Sequence, residues 1–237
     1  MTESTAEKNI QTEREKKWKM ASIPRMRQIV PGLFLGNVQS SWNLELLKEN
    51  HIKAMISLAD GRWVWWNSVT RETVPEHQHK WVQCADSTTQ NLLVHMSDTC
   101  DFIDQLAFPA LSSLDSLPIE QQHAMDDKPE AILIHCDLGI SRSPTIIIAY
   151  LMRKLRIPLM EALEFVKSKQ STPRVKPSRN FTRQLQVWEE VGYQIWENEE
   201  KTVPKPPYKA FLDDRAALLK KKGLTEDEPL APLSLLD

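Results

Sequence analysis

One ten-residue segment concentrates chemistry: His135-Cys136-Asp137-Leu138-Gly139-Ile140-Ser141-Arg142-Ser143-Pro144. It joins an apolar run at 131–135 to a helix expected at 145–155. A loop at a strand-to-helix junction turns successive backbone N–H groups inward and makes an anion nest. The following helix adds its unsatisfied N–H groups and the positive end of its dipole. A cysteine placed there is expected to favour its thiolate, because helix N-termini and nearby cations lower thiol pKa values. Arg142 supplies a planar fork that can hold two oxygens of one anion. Gly139 permits a tight turn, Ser143 can donate a hydroxyl to the sulfur, and Pro144 suits a helix start.

The elements that must position this loop are legible as alternating patterns. Residues 28–30 and 33–35 flank Pro31-Gly32 and predict a hairpin. Strands are expected at 54–58, 80–84 and 131–135, the last as a run buried on both faces. Helices are expected at 43–49, 92–106, 145–155, 158–169 and 180–191. Helices alternating with buried strands indicate an α/β layer fold. The 237 residues carry a net charge of −2, so no global basic field points to nucleic acid. No apolar run reaches the length of a membrane span, and the polar start is unlike a secretory leader. Three cysteines are too few for a disulfide framework and suit a reducing compartment, cytoplasmic or nuclear.

Both ends read as tails. Residues 1–26 form an arm in a stretch rich in Arg and Lys, either a solvated leader or a docking segment. Residues 197–237 hold Pro204, Pro206, Pro207, Pro229 and Pro232 and are expected to be extended or disordered, with one short helix allowed at 213–222 before Gly223. The domain between them spans 27–196, with residues 109–129 as a surface insertion.

The His-Cys-x5-Arg-Ser motif, in its Ser-Arg-Ser form, resembles the dual-specificity branch of the cysteine-dependent protein tyrosine phosphatase superfamily. The likeness runs over about 27–190, through the Leu33-Phe34-Leu35-Gly36-Asn37 hairpin, the Ala149-Tyr150-Leu151-Met152 helix and the Pro177-Ser178-Arg179-Asn180-Phe181 segment with Gln184-Leu185. It implies a single compact α/β domain with a central, mostly parallel, short-stranded sheet flanked by helices. It also implies a phosphoprotein phosphatase acting on phosphotyrosine and phosphoserine or phosphothreonine, with no cofactor and no metal. Cys136 would be the nucleophile, Arg142 and the loop 136–142 the phosphate cradle, and Ser143 the group that stabilises the leaving thiolate. His135 would orient the loop. Expulsion of an alkoxide or phenoxide needs an acid, and the family places it where Asp86 stands, between the strand at 80–84 and the helix at 92–106. The implied partner is a phosphoprotein, a signalling kinase included. The alternatives are a non-catalytic phosphoprotein-binding scaffold of the same fold, or another cysteine enzyme on an anion nest, such as a sulfur transferase.

Several positions depart from the family pattern or stand outside it. Asp137 puts a carboxylate beside the nucleophile, harmless if it points outward and competing with phosphate if it points in. Leu138 replaces a small residue, and Ser178 replaces Asn. No Lys or Arg lies between Cys136 and Arg142, which favours a phosphoprotein over an inositol lipid or an RNA 5′ end. Trp63, Trp65 and Trp66 suit either a cleft wall or the core. Cys84 is a candidate partner for a reversible crosslink to Cys136, and Cys100 reads as packing. His77 and His79 read as exposed loop residues, and Asp98, Asp101 and Asp104 as solvated.

Overall fold

The computed structural model describes residues 22–60, 68–106, 130–169 and 175–225. The tryptophan cluster at 63–66, the insertion at 109–129, most of the basic arm and the last twelve residues lie outside the described residues.

Five strands form one sheet in the order β1-β2-β5-β3-β4. They are β1 (Met26–Val30), β2 (Leu33–Asn37), β3 (Ile52–Ala59), β4 (His79–Gln83) and β5 (Ala131–Cys136). The β1–β2 pair is the expected hairpin, antiparallel around Pro31-Gly32. The other three pairings are parallel. β5 therefore lies at the centre, and alternate residues feed opposite faces. Ile132, Ile134 and Cys136 join the larger core, while Ala131 and Leu133 join a smaller one with Phe34, Leu47 and Met55. This two-sided burial explains the unbroken apolar run.

Short helices α1 (Val38–Trp42), α2 (Leu44–Glu49) and α3 (Ser68–Thr73) follow β2 and β3. The larger core is covered by α4 (Leu93–Gln105), α5 (Arg142–Leu155), α6 (Leu159–Ser168) and α7 (Arg179–Glu190). α5 begins at Arg142, three residues earlier than expected, so the motif's arginine and Ser143 already lie in the first turn. Pro144 is tolerated there because first-turn N–H groups have no intrahelical acceptor. Pro158 stands one residue before α6 rather than inside it. Trp188 of α7 is fully buried, and its indole N–H donates to the Ala149 carbonyl of α5 at 3.2 Å.

The C-terminal segment corrects an expectation. Residues Pro206–Lys222 form a seventeen-residue helix, α8, where an extended or disordered tail was expected. Pro206 and Pro207 occupy its first turn, and Gly223 closes it in the left-handed region, with the Leu224 N–H returning to the Leu219 carbonyl. Tyr208, Phe211 and Leu219 are buried, and Trp196 meets the Tyr208 ring edge-on at 5.5 Å. Two of the prolines that read as tail, Pro206 and Pro207, are helix-start residues, and three apolar anchors suffice to dock the helix.

Replacing Trp188 by Ala should cost about 3–5 kcal/mol of stability, as for other large buried aromatics. Urea unfolding monitored by far-ultraviolet circular dichroism checks this.

Candidate active site

Cys136 ends β5 and is buried among the strand ends. Two donors aim at its sulfur: the Gly139 N–H at 3.3 Å and the Ser143 hydroxyl at 3.2 Å. Hydrogen bonds of this kind favour negative charge on the acceptor. Gly139 has φ +69°, and a Cβ there would lie 2.7 Å from the Gly36 carbonyl oxygen. The loop can therefore lie against β2 only with glycine at this position. Asn37, fully buried, secures the same edge. Its side chain accepts from the Arg25 N–H and donates to the Ile23 carbonyl, while Arg25 reaches the Leu138 carbonyl at 3.3 Å.

Arg142 is only 3% exposed. Its Nη1 donates to Asp60 at 2.8 Å and to the Cys84 carbonyl at 3.0 Å. Its Nη2 donates to Asp137 at 2.5 Å. Burial opposes the charge, but the electrostatic influence of the neighbouring Cys136, Asp137 and Asp60 outweighs it and raises the guanidinium pKa above its ordinary value. Asp60 is itself held above the usual carboxylate range by burial, with Asp137 and Asp86 adding to the effect and Arg142 opposing it. The Nε of Arg142 is buried with no hydrogen-bond partner among the described residues. A phosphoryl group taking the Nε/Nη2 edge would displace Asp137, whose side chain is 42% exposed, and leave Asp60 in place. Of the two outcomes open for Asp137, the structure shows the competing one.

Asp60 is a site residue that sequence reasoning missed. It lies 82 positions before Arg142, and only the parallel pairing of β3 with β5 brings the two together.

Asp86 is brought to the same place. Its carboxylate accepts from the Ser141 hydroxyl at 3.0 Å, so the expected acid sits against the phosphate loop. Ser141 Oγ in turn accepts from the Ser178 N–H at 3.1 Å. Ser178 caps α7 by accepting from the Phe181 N–H, so its side chain has a structural role at the helix start. The loop 87–91 is gripped by α7: Asn180 donates to the Ser87 and Gln90 carbonyls, and Gln184 accepts from the Leu92 and Leu93 N–H groups at the start of α4.

His135 lies behind the loop, and burial pushes its imidazole down to about 3, with His79 adding to the effect. Its Nε2 lies 2.7 Å from the Ser57 hydroxyl, which lies 2.7 Å from Nε2 of His79. One hydroxyl proton cannot serve both rings, so at least one ring carries hydrogen on Nε2. The expectation for His79 is thereby corrected: it opens β4, half-buried, while His77 is exposed. Asp101 and Asp104 are exposed but paired with Arg153, and Asp98 with Lys201.

The crosslink between Cys84 and Cys136 is not supported. Cys84 extends β4 by one residue, bonding through its N–H to the Ala59 carbonyl, and β3 stands between it and β5. Two strand spacings are about 9.5 Å, whereas disulfides need Cα atoms within about 7 Å. Burial also pushes the Cys84 thiol up to about 12. Cys100 is fully buried in α4, as expected of packing.

The family model for the dual specificity phosphatase catalytic domain matches residues 118–191. Human dual specificity protein phosphatase 22 is 30% identical over 178 residues, covering 74% of this chain and 81% of that protein. The chain belongs to the dual specificity phosphatase family. It is also 31% identical to human dual specificity protein phosphatase 5 over 163 residues, 68% of this chain, and there it spans only 35% of the relative's length. Among solved structures, the Yvh1 phosphatase domain from Chaetomium thermophilum is similar with a TM-score of 0.52 and 28% identity, covering 71% of this chain and 96% of that one. Human DUSP28, at 24% identity and a TM-score of 0.54 over 71% of this chain and 95% of that one, shows the same phosphatase fold.

Two predictions follow from the site's geometry. Asp60→Ala should lower kcat/KM about tenfold, the scale of one lost hydrogen bond to a charged group, while Asp137→Asn should tighten competitive inhibition by tungstate; steady-state kinetics with inhibitor titration reads both. The second concerns His135, whose folded pKa is below its ordinary 6.5. As pH falls below that value, the unfolded chain takes a proton that the folded state refuses, so stability is lost toward pH 3. His135→Gln should flatten that part of the slope in urea unfolding compared at pH 7 and 4.5.

Proposed function

We propose that the chain is a protein phosphatase that hydrolyses phosphotyrosine and phosphoserine or phosphothreonine through a phosphocysteine intermediate. The observation that carries this reading is the meeting of three groups around one loop. Cys136 receives two hydrogen bonds at sulfur, Arg142 keeps an Nε with no hydrogen-bond partner among the described residues, and Asp86 accepts from Ser141, which lies between them in the chain.

In the first step the Cys136 thiolate attacks phosphorus in line and forms an S–P bond as the ester P–O bond breaks. Arg142 and the loop N–H groups hold the equatorial oxygens, which carry the transition-state charge. Asp86 in its acid form gives its proton to the leaving oxygen. In the second step the Asp86 carboxylate takes a proton from water as that water attacks phosphorus. Inorganic phosphate leaves, and Cys136 departs as a thiolate stabilised by the Ser143 hydroxyl and the Gly139 N–H.

The surroundings of the cradle support a phosphoprotein, a signalling kinase included, over a polyanionic substrate. Asp60, Asp86 and Asp137 ring the phosphate position, and further phosphates would meet like charge there. The non-catalytic scaffold reading is less favoured, since Cys136, Arg142 and Asp86 lie around one loop in a chain of the dual specificity phosphatase family.

Turnover of an aryl phosphate by the reduced full chain tests the reading. Cys136→Ser should show no turnover while still capturing a phosphopeptide, and Asp86→Ala should lose about 10²–10⁴-fold in kcat, the usual contribution of a positioned acid. Turnover by Cys136→Ser, or inactivity of the reduced wild type, would overturn it.

A further inference from the structure

The C-terminal helix lies beyond residue 191, where the family match ends, yet it reaches the acid-bearing loop at three points. Arg215 Nε donates to the Thr89 carbonyl at 2.6 Å. The Tyr208 hydroxyl accepts from Asn91 Nδ2 at 3.0 Å. Lys222 Nζ donates to the Thr89 neighbour, Thr88, at its hydroxyl, 2.8 Å away. These contacts cover 88–91, immediately after Asp86. On the other side α7 holds the same loop through Asn180 and Gln184. Internally the loop is closed by the Gln90 side chain, which accepts from the Ala85 N–H at 2.9 Å.

α8 is also anchored away from the loop. Phe211 is buried, and Arg183 of α7 lies over its ring and pairs with Asp214. A turn between α7 and α8 is fixed by Asn198, which accepts from the Thr202 and Val203 N–H groups, and Trp196 bridges Pro204. The helix is thus fastened to the body of the domain at one face and to the loop at the other. Asp86 is exposed and is held to the phosphate loop by its Ser141 bond. A loop bearing an exposed acid needs its backbone restrained if the carboxyl is to stay within reach of a leaving oxygen.

We propose that α8 is a built-in brace for the general-acid loop, with Arg215 as its main positioning residue and Tyr208 as its second. The inference rests on Asp86 being the acid. The brace acts on protonation of the leaving group and not on phosphate binding, because its contacts with the loop among the described residues are to Thr88, Thr89 and Asn91.

The test is leaving-group dependence in the full chain. An ester of a strongly acidic phenol departs with little help, whereas phenyl phosphate needs the proton. The ratio of kcat/KM for the activated ester over phenyl phosphate should rise about tenfold in Arg215→Ala, a partial loss of what a positioned acid contributes. It should rise in the same sense in Tyr208→Phe, which keeps the ring packing and removes only the Asn91 acceptor. The limb of the pH–rate profile that reports the acid should weaken with it. Combining Arg215→Ala with Asp86→Ala should add no further change in the ratio. If Asp86→Ala raises the ratio but Arg215→Ala and Tyr208→Phe lower both substrates equally, or leave the ratio as in wild type, the brace is overturned and the acid stands. If Asp86→Ala itself leaves the ratio unmoved, the acid assignment falls and takes the brace with it. Should Arg215→Ala fail to fold, Tyr208→Phe alone decides.

Discussion

A buried guanidinium must be paired, and the pairing of Arg142 organises the catalytic end of this sheet. Its three partners each stand immediately after a strand: Asp60 after β3, Cys84 after β4 and Asp137 after β5. One side chain therefore gathers the carboxyl ends of three neighbouring parallel strands, the region where open α/β sheets place their ligands. Leaving that charge unpaired in the interior would be severely destabilising, so the positions of β3 and β4 relative to the loop are tied to the state of the arginine. The two carboxylates are not equivalent. Asp60 is the more enclosed and shares Nη1 with a backbone carbonyl, while Asp137 is half-exposed and occupies the edge that the proposed phosphoryl group would take. Anchor and competitor are held by the same residue.

A second set of contacts couples the proposed acid to the loop of the proposed nucleophile. The Ser178 N–H reaches Ser141, and the Ser141 hydroxyl reaches Asp86, so the start of α7, the 136–142 loop and Asp86 are consecutive members of one hydrogen-bonded chain. Behind the loop, the neutral His135 ring is tied through Ser57 to His79, which links β5, β3 and β4 on the side away from the substrate. The loop is thus held from below by the His135–Ser57–His79 network and from the side by a charged one. Such preorganisation lets the donors act without rearranging at the moment of reaction.

The strands, the hairpin and the loop motif were legible because local pattern and chemistry agree there: the turn dipeptide, the two-sided apolar run of β5 and the glycine that must take a positive φ. What was not legible depends on which strands become neighbours. Asp60 resembles a turn residue until β3 is set beside β5. Ser57 resembles an ordinary strand position, and His79 an exposed loop residue, until β3 pairs with β4. The same topology separates Cys84 from Cys136, although both lie near the site in sequence-based reasoning. α8 was concealed by composition: its prolines and mixed charges suit a tail, and its helix is stabilised by a few anchors, Tyr208, Phe211 and Leu219, rather than by a long apolar stripe.

The central claim is that phosphate passes through Cys136 on its way to water. The direct measurement is mass spectrometry of the full chain quenched in acid during turnover of an aryl phosphate. The account predicts a phosphoryl group on the peptide containing Cys136 and absent from Cys136→Ser. An actively turning-over enzyme whose Cys136 peptide carries no phosphate at any quench time, or carries it on another residue, would contradict it.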